Sequence, residues 1–137
     1  MRNMLQEIKN NILPLIFLVF NIWLISSCQN RMDNFNVTAE QFIQTNNSSD
    51  IILLDVRTDV EFHERHLENA VQINFRDPDF DERINELDKD KTYFVYCRSG
   101  KRSSAAVRKM RMKGFLKAYN IEGGIIQLTQ YGIVAVK

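Results

Sequence analysis

The sequence predicts an α/β fold of three layers, α/β/α, with a parallel sheet between two layers of helices. Three observations carry that prediction. Short apolar runs alternate along the chain with stretches of helical spacing. Two of those runs are continuous rather than alternating, as in strands covered on both faces. Several helical stretches open on capping boxes or stop at glycines, so start and stop signals are written locally. Strands separated by helices return in the same direction, which makes the sheet parallel.

The elements follow in order. A capping box from Thr38 to Gln41 opens a helix that runs to about Thr45, with Phe42 and Ile43 on its inward face. Ile51-Ile52-Leu53-Leu54 is an apolar run bounded by polar residues, hence a buried strand. A second capping box, Thr58 to Glu61, starts a short helix, and Ala70 to Ile73 forms the next strand. Phe80, Ile84 and Leu87 recur at helical spacing. Tyr93-Phe94-Val95-Tyr96 is the most hydrophobic strand and the expected centre of the sheet. A helix from Ser103 to Lys113 stops at Gly114, and a final strand, Ala118 to Ile121, ends at Gly123-Gly124.

Residues 1–27 read as an export signal outside this pattern. Arg2 and Lys9 are followed by an apolar run of 14 residues, Ile12 to Ile25, and then by Ser26, Ser27 and Cys28. A spanning helix needs roughly 20 apolar residues, so a cleaved signal is expected. Leu24 to Cys28 resembles the lipobox of bacterial lipoproteins, which implies cleavage before Cys28 and lipidation of that cysteine. An uncleaved anchor is the alternative. Either way the chain is expected in the cell envelope, facing the periplasm and held to a membrane. Residues 28–34 are then a tether and residues 35–137 a single domain. Without residues 1–27 the chain keeps 110 of its 137 residues, with 16 basic and 16 acidic side chains, and a neutral surface offers nothing to nucleic acid.

With Cys28 acylated, Cys97 is the one free thiol. It opens the stretch Cys97-Arg98-Ser99-Gly100-Lys101-Arg102-Ser103, at the carboxyl end of the expected central strand. Ligands bind parallel sheets at that end. A helix starting near Arg102 or Ser103 points free N–H groups back at this loop, and Arg98, Lys101 and Arg102 add positive charge. Both effects favour a thiolate.

These residues, with Leu53-Leu54-Asp55-Val56-Arg57, Glu61-Phe62, His66-Leu67, Ala70, Ile73-Asn74 and Asn120-Ile121-Glu122-Gly123-Gly124, resemble a rhodanese domain from Phe35 to Val134. The resemblance implies a five-stranded parallel sheet and a sulfurtransferase in which Cys97 carries a sulfane sulfur as a persulfide. Arg98, Ser99, Gly100, Lys101, Arg102 and Ser103 would bind a small anionic sulfur donor such as thiosulfate. A thiol, cyanide or a protein would accept the sulfur. No cofactor, no metal and a monomer are expected. A sulfur carrier or protein-binding module with little turnover is the alternative. Asp55 and Arg57 either shape the pocket or form a structural pair. Arg65, Glu68 and Asn69 replace the Gly, Pro and Gly common in the family, and Leu128 replaces a common Trp. Phosphatases of the related cysteine-loop type place five residues between cysteine and arginine, whereas four separate Cys97 from Arg102. The shorter ring suits one sulfur atom better than a phosphoryl group. His63-Glu64-Arg65-His66 lacks the spacing of a zinc-protease helix, and Asp77, Asp79 and Asp81 form an imperfect calcium loop with Pro78 inside it.

Overall fold

The computed structural model describes residues 35–45 and 50–137. The expected signal at residues 1–27, the tether at 28–34 and the lipidation site Cys28 lie outside the described residues. Phe35–Lys137 is one compact unit. Among the described residues no helix is long and apolar enough to cross a membrane.

The elements run β1 (Asn36–Val37), α1 (Ala39–Thr45), β2 (Ile51–Asp55), α2 (Asp59–Glu64), β3 (His66–Leu67), β4 (Val71–Gln72), α3 (Phe80–Asn85), β5 (Thr92–Tyr96), α4 (Lys101–Met112), β6 (Ala118–Ile121), α5 (Gly124–Gln130) and β7 (Ala135–Val136). The main sheet has five strands in the order β1-β6-β5-β2-β4, and all four pairings are parallel. β5 is central, between β2 (Leu53 opposite Phe94) and β6 (Val95 opposite Asn120). The fifth strand, β1, has only two residues at the sheet edge, too few for a periodic signal.

Successive side chains of a strand face opposite sides of the sheet. Tyr93 and Val95 of β5 therefore pack with Leu54, Ile84, Val107 and Met110 on the face covered by α3 and α4. Phe94 and Tyr96 pack with Phe42, Ile121 and Leu128 on the face covered by α1 and α5. Burial on both faces is why β5 is a continuous apolar run. The alternation carries one residue past the strand and puts Cys97 on the α4 side.

Both capping boxes form. Thr38 and Gln41 exchange side-chain-to-backbone hydrogen bonds, and so do Thr58 and Glu61. Three local expectations are corrected. Ile43 is exposed, because α1 presents only Ala39 and Phe42 to the core. The α3 helix ends at Asn85, and Leu87 packs from the turn beyond it. The α4 helix begins at Lys101, two residues before the expected Ser103. Its N-cap, Gly100, has φ 91°, a left-handed turn that starts the helix without any apolar cue. A second, antiparallel ladder joins β3 to β7 (Leu67 opposite Ala135), which periodicity did not foretell. Asn69, in the turn after β3, has φ 61°, a conformation asparagine tolerates better than most residues.

Candidate active site at the Cys97 loop

The site is built where β5 ends and α4 begins. Cys97 is 1% exposed, and its carbonyl accepts the Ile125 N–H at 2.9 Å from the start of α5. The Arg98 carbonyl accepts the Ile126 N–H at 3.4 Å, so α5 clamps the loop. The clamp depends on Gly124. A Cβ there would lie 2.3 Å from the Cys97 carbonyl oxygen and 2.8 Å from the Arg98 carbonyl. Gly124, the first residue of α5, thus permits the close approach that fixes the loop.

Inside the loop the sulfur is surrounded by donors. The Gly100 N–H lies 3.2 Å from the Cys97 Sγ, and the Ser103 hydroxyl donates to it at 3.5 Å. Burial pushes the Cys97 thiol up. The Ser103 hydroxyl and the N–H groups of Ser103, Ser99 and Gly100 outweigh it, and the thiol lies below its ordinary range. The largest stabilisers of the thiolate are thus neutral donors rather than the cations that stand out in the sequence. Ser103, fully buried in the first turn of α4, faces the sulfur and does not cap the helix. Ser103→Ala is expected to move the pH profile of Cys97 alkylation to higher pH, with the rate still rising as the thiol deprotonates. An unshifted profile would show that the hydroxyl has no part in holding the thiolate.

The three cations of the loop go separate ways. Arg102 forms a two-pronged ion pair with Glu61 of α2, at 2.7 Å for each contact. Arg102 holds the Glu61 carboxyl down to about 2, against partial burial and with help from Thr58. The Arg102 guanidinium is raised by Glu61 first, and by Cys97 as well, so it stands beside the sulfur. Arg98 is exposed and lines a cleft of about 440 Å³ with Arg57, Glu61, Arg65 and Ile125. Lys101 is exposed in a different, shallower cleft with Ser99, Gly100, Asn120 and Arg108. Arg98 and Lys101 therefore line different clefts. An early helix start turns Lys101 away, since adjacent helical residues diverge.

Asp55 and Arg57 are both buried, paired at 2.6 Å, with the Arg57 Nε also 3.0 Å from each carboxylate oxygen. Burial opposes the Arg57 charge, and Asp55 more than offsets it. Arg57 Nη2 donates to the Arg65 carbonyl at 2.6 Å, and the guanidinium stands 5.6 Å from the Tyr96 ring centre. Arg57 also reaches the wall of the larger cleft. The sequence left open a structural pair or a part of the pocket, and the geometry is that of a pair with Arg57 at the cleft. The sequence marks Glu61 as a capping residue and as part of the rhodanese resemblance; neither gave a sign of the partner 41 residues away.

A family model for the rhodanese-like domain matches residues 38–130. The chain belongs to the rhodanese-like domain family. This rhodanese-like domain is 32% identical over 89 residues to a sulfurtransferase from Allochromatium vinosum, covering 65% of this chain and 81% of that protein. It is 42% identical over 77 residues to the putative sulfurtransferase YtwF of Bacillus subtilis, covering 56% and 72%. A tRNA uridine(34) hydroxylase from Aster yellows witches'-broom phytoplasma is 35% identical over 91 residues, which are 64% of this chain but only 30% of that longer protein. Among solved structures, a rhodanese-related protein from Thermoplasma volcanium superposes with a TM-score of 0.65 at 30% identity, covering 74% of this chain and 96% of that one.

Proposed function

We propose that this rhodanese-like domain is a sulfurtransferase that moves a sulfane sulfur from thiosulfate, or a similar small anion, to a thiol or cyanide through a Cys97 persulfide. The single observation that carries the proposal is the set of donors aimed at Sγ from Gly100 and Ser103. The Cys97 thiolate attacks the outer sulfur of thiosulfate; the S–S bond breaks, and its electron pair leaves with sulfite. The new persulfide keeps its negative charge among the loop N–H groups. Arg102 adds positive charge beside the sulfur, and Glu61 holds it in place. An acceptor thiolate or cyanide then takes the outer sulfur and returns Cys97 as thiolate. Relatives named sulfurtransferase support this chemistry.

Incubation of the purified full chain with thiosulfate is expected to add the mass of one sulfur atom at Cys97, and cyanide is then expected to release thiocyanate with turnover. Loading without turnover would favour a sulfur carrier instead, a role supported by 31% identity over 100 residues to the putative sulfur carrier protein YrkF of Bacillus subtilis. Neither loading nor turnover would sink both. The export-signal pattern at residues 1–28 supports an envelope location, for which acylation of Cys28 in the native N-terminal peptide is the decisive mass-spectrometric observation.

A further inference from the structure

The cleft beside Cys97 is larger than either small reactant requires. Its volume of about 440 Å³ exceeds that of cyanide or thiosulfate several times over. The inner charges of this cleft are already matched: Asp55 pairs Arg57, and Arg102 pairs Glu61. Three exposed charges remain on its wall, Arg65, Arg98 and Glu64. Among the described residues none of the three has an ion-pair partner. The balance is one net positive charge facing open cleft.

Both cations are anchored by their backbones. The Arg65 carbonyl is held at 2.6 Å by the buried Arg57, and its extended φ of −165° ends α2. The Arg98 carbonyl is held by Ile126 of α5. Ile125, Ile126 and Ala135 supply an apolar wall to the same cleft. The cavity, which reaches the Cys97 loop at Arg98, thus joins an apolar stretch to a pair of guanidinium groups, which suits a short-stemmed thiol ending in a carboxylate.

We infer that Arg65 and Arg98 select the sulfur acceptor, which is a small thiol carrying a carboxylate. This rests on the sulfurtransferase reading above. The acceptor thiolate attacks the outer sulfur of the Cys97 persulfide; a new S–S bond forms to the acceptor, and the bond to Cys97 breaks with its electron pair remaining on Sγ. The acceptor leaves as a persulfide anion, so charge and electrons balance without a further reactant. The arginines act on binding and orientation of the carboxylate and take no part in the bond changes.

The test uses the full chain, loaded with thiosulfate and freed of excess donor, then discharged by 3-mercaptopropionate, 2-mercaptoethanol or cysteamine. Rates are compared per thiolate. The carboxylate thiol is expected to react about tenfold faster than the neutral one, and the ammonium thiol slowest, with the preference fading in 1 M salt. Arg65→Gln and Arg98→Gln are each expected to shrink the carboxylate-to-neutral ratio several-fold, and Arg65→Lys to restore most of it. The ratio is the readout because a general loss of activity cancels in it. Equal rates for the three thiols, or an unchanged ratio in both glutamine variants, would overturn the inference while leaving sulfur transfer intact. Failure to load sulfur at all would overturn the sulfurtransferase reading and this one with it.

Discussion

Cys97→Ser abolishes sulfur loading and lowers thiocyanate formation by at least about a thousandfold, the loss expected when a covalent nucleophile is removed. A hydroxyl remains protonated at neutral pH, and oxygen cannot carry the sulfane sulfur as a persulfide. The fold should survive, because serine is nearly isosteric and can accept the donors that now face the sulfur, Gly100 N–H and the Ser103 hydroxyl. Mass spectrometry after thiosulfate treatment, a thiocyanate assay and a thermal melt separate the two effects. Turnover at more than a small fraction of the wild-type rate in a folded Cys97→Ser protein would move the chemistry away from this loop.

Arg57→Met destabilises the protein by roughly 3–5 kcal/mol, the cost of leaving one half of a buried ion pair uncompensated. Asp55 is 0% exposed and would keep only the Arg57 main-chain N–H of its present contacts with that residue. The same variant frees the Arg65 carbonyl and removes the cation from beside the Tyr96 ring. Replacing both partners, Asp55→Leu with Arg57→Met, should recover much of the loss, since an apolar pair leaves no charge buried. Denaturant melts of the two single variants and the double variant measure the coupling. A single-variant loss below about 1 kcal/mol would show that water reaches the Asp55 carboxylate despite its burial.

Much of this fold is legible from local patterns. The run Ile51 to Leu54 and the run Tyr93 to Tyr96 announce buried parallel strands because both faces of each are covered by helices. Thr38 with Gln41, and Thr58 with Glu61, announce helix starts because a capping box satisfies its own backbone groups within four residues. The two-residue strands β1, β3 and β7 left no such trace. They are set by pairing with distant segments, and two residues hold no periodicity.

What the sequence alone determined was the local part: parallel strands, helix starts, and a cysteine separated by four residues from an arginine at the end of the central strand. These follow from spacing within a few residues, where backbone geometry and capping act. Only the tertiary structure decided what the loop residues do. It turned Lys101 away through the left-handed start at Gly100, set Arg102 against Glu61, and aimed Ser103 at the sulfur. The physical reason is that direction in a loop depends on where a helix begins, and charge is matched across space. The partners lie on α2 and α5, whose positions relative to the loop are fixed by packing around β5 and by the close approach that Gly124 allows.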